Sequence, residues 1–143
     1  MAWLFIDTHE NGRVRYAWLD AGRVVKRVER EGRASMLLPL IAKDLVTPSN
    51  SPLKRGRELS GVCVVEGPGS FSAVRGGVLD ANLLARFLRV PLVAVTAGEA
   101  RDPEGLASRI ASGDVSITSY VAPVYDREPN ITMPKEKKLE VRI

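Results

Sequence analysis

Read for polarity alone, the chain opens on a short apolar run, Trp3-Leu4-Phe5-Ile6, that stops at Asp7-Thr8, the pattern of a buried central strand. Arg13 to Leu19 then alternates polar and apolar residues, Asp20-Ala21-Gly22 supplies a turn, and Arg23 to Val28 resumes the alternation. Three antiparallel strands in a meander are predicted. From Ser35 to Val46 the apolar residues recur at helical spacing, with Ser35 in the place of an N-cap and Pro39 admissible only in the first turn. Thr47-Pro48-Ser49-Asn50-Ser51-Pro52 is a loop by composition, and Leu53 to Gly61 leads with mixed polarity into a second buried strand from Val62. Beyond Gly67-Pro68-Gly69 the longest helix is predicted from Ser70 to Leu88, followed by a strand over Pro91 to Val95. A helix with a weak start at Asp102-Pro103 is predicted from Ala97 to Ala111. No internal repeat is visible. Meander, helix, strand, helix, strand is an α/β order whose last strands must run parallel through helical crossovers.

The break at Gly67-Pro68-Gly69 is the most informative stretch. Two glycines around a proline permit a sharp turn and leave helix N–H groups free, so the turn either receives a phosphate or carboxylate or only joins strand to helix. Gly67-Pro68-Gly69-Ser70-Phe71-Ser72-Ala73-Val74-Arg75 resembles the signature Gly-Pro-Gly-Ser-Phe-Thr-Gly-Leu/Val-Arg of the bacterial tRNA threonylcarbamoyladenosine biosynthesis family TsaB, also called YeaZ, at seven of nine positions. Phe5-Ile6-Asp7-Thr8, Leu37-Leu38-Pro39-Leu40-Ile41, Pro91-Leu92-Val93-Ala94-Val95 and Pro123-Val124-Tyr125-Asp126-Arg127 resemble further motifs of that family. The resemblance implies an RNase H-like fold, the actin-like ATPase half-domain, with a mixed sheet. It also implies a truncated form, since relatives carry a second lobe of ~100 residues, a typical domain size, where about twenty residues separate Ala100 from Val121 here. A single domain over 1–120 and a C-terminal tail over 121–143 are therefore expected. The chain departs from the pattern at Arg33, where the family usually has histidine, at Glu66 before the turn, and at Asp126 in the closing motif.

Composition changes the picture little. The chain has 143 residues, of which 45% are hydrophobic and 27% charged, the balance of one soluble globular domain. No apolar window is long enough for a membrane span, and the N-terminus carries no basic leader or cleavage site, so a cytoplasmic protein with no membrane partner is expected. The formal charge of +4 comes from 21 basic and 17 acidic residues interspersed along most of the chain. Only Lys135 to Arg142 is densely basic, and it reads as a solvated tail. Cys63, the sole cysteine, lies inside an apolar strand and reads as a buried structural thiol.

Catalytic chemistry is sparse. Asp7 and Glu66, at the ends of two predicted strands, stand where RNase H-like nucleases place metal-binding carboxylates, but two-metal cleavage needs more convergent carboxylates, and Asp80 and Asp114 are weak candidates. Asp7 reads better as a turn residue bonding local backbone. With His9 the only histidine, neither a multi-histidine metal site nor a Ser-His-Asp triad with a spare histidine is available, and Ser70 and Ser72 read as helix-start hydroxyls. No metal, no cofactor and no catalytic residue are expected.

Surface is what remains. On the helix from Ser70, Val74, Val78, Ala81, Ala85 and Leu88 form one apolar stripe, whereas Gly76, Leu79, Leu83 and Phe87 form a second on the opposite side. The first helix is apolar almost all round, with Met36, Leu37, Leu40 and Ile41 prominent. The second stripe is covered either by the chain itself or by another protein. The resemblance implies the latter: these two helices serve homodimerisation and pairing with a TsaD-like catalytic paralogue, Gly76-Gly77 permitting close approach, with a TsaE-like ATPase joining and tRNA engaged only indirectly. The motif residues Gly67, Pro68, Gly69, Ser70, Phe71 and Arg75 would set the turn. The reading is a non-catalytic subunit supporting threonylcarbamoyl transfer to tRNA adenosine. Its rivals are a minimal RNase H-like metal-dependent nuclease and a homodimeric interaction module that has lost the modification role.

Overall fold

Strand alternation sorts the core into two layers. The structure, a computed structural model, describes residues 2–46 and 59–125. Its elements are β1 (Ala2–Asp7), β2 (Arg13–Asp20), β3 (Arg23–Glu31), α1 (Leu37–Val46), β4 (Leu59–Gly67), α2 (Phe71–Leu88), β5 (Leu92–Thr96), α3 (Pro103–Ser112) and β6 (Ile117–Thr118), with 3-10 turns at Ala34–Met36 and Glu99–Arg101. They form one six-stranded sheet in the order β3-β2-β1-β4-β5-β6. The meander pairs antiparallel, β1, β4 and β5 run parallel, and β6 closes the edge antiparallel to β5.

Because successive strand side chains point to opposite faces, Leu4, Ile6, Val14, Tyr16, Trp18, Val62 and Val64 turn to one side, where Leu37 and Ile41 of α1 and Val74, Val78 and Ala81 of α2 meet them. Trp3, Phe5, Ala17, Leu19, Cys63, Val65, Val93 and Val95 turn to the other, under Leu106 and Ala107 of α3. Cys63 is fully buried, and burial pushes its thiol pKa up. It is expected to resist a disulfide thiol reagent in the native protein and to react stoichiometrically once the chain is denatured; native labelling at the denatured rate would contradict the packing.

Three expectations change. Ser35 is not a cap: the 3-10 turn starts after Arg33, without a side-chain cap bond, and Ser35 lies within it. Pro39 does sit in the first turn of α1. Leu88 leaves the buried stripe of α2 and is 40% exposed, since Arg89 reverses the chain in the left-handed conformation and Val90 packs on the core instead. The helix expected from Ala97 is divided: Asp102 breaks it and then caps α3, its carboxylate accepting from the Gly105 N–H at 3.1 Å, with Pro103 at the first helical position. The two-residue strand β6 is too short to have a sequence pattern. Val121, the first residue past the expected boundary at 120, is 2% exposed in the core, and Asn82 holds both its N–H and its carbonyl at 2.9 Å. The loop over 47–52 and the basic tail lie outside the described residues.

Candidate functional site

The signature turn receives this chain's own carbonyls. Gly67 has φ +122°, and a Cβ there would run into the carbonyl oxygen of Val124, whose N–H in turn donates to Glu66 O at 2.7 Å. A Cβ on Gly69 would meet the carbonyl oxygen of His9, which accepts from Ser70 N–H at 3.4 Å. Two carbonyl oxygens so placed disfavour an anion. Of the two readings of the turn, the connecting one holds. It is also where the closing motif docks: Tyr125 bridges to Gly69, and its ring lies 4.6 Å from that of Phe71, with Arg75 5.9 Å from the Phe71 ring on its other contact. Ser70 does occupy the N-cap position of α2, but its hydroxyl makes no cap bond and is buried without a partner among the described residues.

The two apolar helices divide their residues unequally. Leu37 and Ile41 are 0% and 2% exposed and belong to the core, so they are withdrawn from the partner face; Met36 and Leu40 are half-buried. Gly76 and Gly77 do permit close approach, but inside the chain, where Ala34 covers Gly76 and Thr8 covers Gly77. Thr8 is fixed there by donating to the Ala73 carbonyl at 2.6 Å. Leu79, Leu83 and Phe87 remain in solvent at 54%, 53% and 83% exposure. Beside them Asp80, the sole carboxylate of α2, is half-buried, and burial pushes its pKa up to about 6.

At the carboxyl end of β1 a different cluster gathers. Asp7 is buried and accepts from the His9 backbone N–H at 3.1 Å, as a turn residue does, and also from His9 Nδ1 at 2.5 Å. Arg15 Nη1 lies 3.7 Å from its second oxygen, and the same guanidinium binds Glu10 at 2.6 Å and Glu29 at 3.2 Å. Those bonds from Arg15 hold the carboxyls of Glu10 and Glu29 below their ordinary values. Asp7 is thus engaged by His9 and Arg15, and among the described residues no group of three His, Cys, Asp or Glu side chains could hold a metal. Glu66, Asp80 and Asp114 do not join it. The pairing was legible only in part: Asp7 and His9 were separately noticeable, but Arg15 reaches them because Arg13, Arg15, Arg27 and Glu29 all alternate onto the α3 side of the meander.

The family model for TsaD, tRNA N6-adenosine threonylcarbamoyltransferase, matches residues 36–101, from the turn before α1 to the turn before α3. No curated protein matches the chain. Among solved structures, YeaZ from Pseudomonas aeruginosa superposes with a TM-score of 0.55 at 24% identity, covering 67% of this chain and 45% of that one. A Pseudomonas aeruginosa protein described as uncharacterized with similarity to peptidase YeaZ gives 0.52 at 25% identity, over 66% of this chain and 43% of that one. The chain spans less than half the length of either. Among the described residues no helix is long and apolar enough to cross a membrane. Sheet order and solved neighbours agree: the chain has a YeaZ (TsaB)-like fold, an RNase H-like mixed α/β sheet.

Proposed function

We propose that the protein is a non-catalytic, TsaB-like subunit of the tRNA threonylcarbamoyladenosine modification system that pairs through α2 with a TsaD-like paralogue. In isolation the same face would pair two copies, and a TsaE-like ATPase would join the larger complex, with tRNA bound by the partner. The observation that carries this reading is the row Leu79, Leu83 and Phe87, which nothing among the described residues covers. Fully burying side chains of this kind is worth roughly 1.5–3 kcal/mol each, so a partner that covers them gains a hydrophobic centre of the size found in stable interfaces. The TsaD family match and the YeaZ-like fold support the assignment to that system.

The test is Leu83→Glu. Because Leu83 is 53% exposed, the variant should fold with an unchanged circular dichroism spectrum. It should lose self-association in size exclusion and should no longer co-purify with a co-expressed TsaD-like protein, since the new carboxylate would be desolvated without a counter-ion. A folded variant that still pairs with TsaD removes α2 from the interface. Wild-type protein that never captures TsaD removes the modification role and leaves the interaction-module reading.

A further inference from the structure

A cavity of about 450 Å³ opens between the carboxyl end of the meander and the start of α3, away from the α2 face and on the other side of the sheet. Phe5 and Ala17 from the sheet, and Ala97, Ala100 and Pro103 from the turn before α3, give it an apolar lining. Its volume lies in the range of small-molecule sites, which combine such a lining with a few convergent polar groups. The polar groups here are of two kinds. Asp7, Glu10 and Glu29 are already engaged, by His9, Arg13 and Arg15. Arg27 of β3 and Arg101 at the end of the 3-10 turn also line the cavity, yet neither makes an ion pair or hydrogen bond with a described residue.

His9 also lines the cavity, its ring held at the wall by the Asp7 carboxylate, which accepts from Nδ1. With Arg27 and Arg101 unpaired among the described residues, the balance of unpaired charge in the cavity is positive, beside an apolar wall.

We propose that this cavity is a binding site for a small organic anion, a carboxylate or phosphate monoester with an apolar body, whose anionic head is held by Arg27 and Arg101. The body lies against Phe5, Ala97 and Ala100. Charge and shape both enter: an inorganic ion leaves the apolar lining wet, and a neutral body leaves the arginines unpaired.

The single histidine makes the test direct, because its ring Cε1–H is one resolved proton resonance in the whole chain. Phenyl phosphate and benzoate, titrated into the native protein, should displace that resonance saturably, whereas inorganic phosphate and benzyl alcohol should bind at least about tenfold more weakly. Arg27→Glu and Arg101→Glu, both at exposed positions with no structural bond to lose, should each weaken phenyl phosphate about tenfold or more, the scale of a lost charged hydrogen bond. Leu83→Glu, on the other face, should bind as the wild type does. No displacement by either aromatic anion overturns the proposal. So does displacement that survives both charge reversals, or inorganic phosphate binding as tightly as phenyl phosphate, which would mean a simple anion contact.

Discussion

Asp44→Ala should destabilise the fold by about 2–4 kcal/mol and should do so less and less as the pH falls. Asp44 lies on α1 but is buried against the meander, where it accepts from Tyr16 Oη at 2.9 Å, Trp18 Nε1 at 3.1 Å and Lys26 Nζ at 2.8 Å. Burial works against its charge, but the bonds from Lys26, Tyr16 and Trp18, with the charge of Lys26, outweigh it and hold the carboxyl below its ordinary value. The three donors would not suffer equally. Tyr16 has a second acceptor in the Leu40 carbonyl at 3.2 Å, and the half-buried Lys26 can turn to water. Only the indole N–H of Trp18, 1% exposed, has neither escape; because the other two donors do, the cost falls below that of breaking a fully enclosed ion pair. Asp44→Asn, which keeps an acceptor of the same shape, should cost less than half as much.

The pH dependence follows from the direction of the shift. A carboxyl whose folded pKa is depressed contributes stability that is present above its unfolded value, about 3.9, and is lost as pH falls through the folded one. Wild type should therefore lose stability on acidification faster than Asp44→Ala, and the two denaturation midpoints should converge below pH 4. A difference between them that stays constant from pH 7 to pH 3 would show that Asp44 acts by packing rather than by charge.

The elements were legible where a run is long and one rule dominates. The Trp3 strand, the meander, the Val62 strand and the long helix after the Gly-Pro-Gly turn follow from period alone, and the parallel course of the last strands follows from the helical crossovers. What polarity could not give was long-range partnership. Asp44 looks like one more polar residue on an apolar helix, and only the register of β2 and β3 brings Tyr16, Trp18 and Lys26 to it. The same limit applies to α1, whose apolar residues on all sides could not be sorted into core and surface before the sheet was in place; Leu37 and Ile41 went inward and left the exposed surface to α2. The burial of Val121 was not legible, because a single apolar residue carries no period. Its anchor, Asn82, lies 39 residues away.

Gly67→Ala should cost about 2–5 kcal/mol, and Gly69→Ala about 1–3 kcal/mol, by different routes. At Gly67 an alanine would have to hold φ +122° and push its Cβ against the Val124 carbonyl oxygen. Relief requires the 121–125 segment to move, and that segment carries Val121 into the core and Tyr125 onto Phe71. Gly69 needs no positive φ, but its Cβ would run into the His9 carbonyl oxygen and lie 2.7 Å from Val74 Cγ2 and 2.9 Å from His9 Cβ, so the cost is a clash at the start of α2. Gly98 supplies the control. Its φ is −66° and the nearest atom to a Cβ is Thr96 Oγ1 at 3.8 Å, so Gly98→Ala should stabilise by about 0.4–1 kcal/mol through the unfolded chain. Urea denaturation of the three variants, read as midpoints at constant slope, gives the order directly. Gly67→Ala as stable as the wild type would mean that the closing segment is not docked on the turn, and the Tyr125–Phe71 contact would go with it.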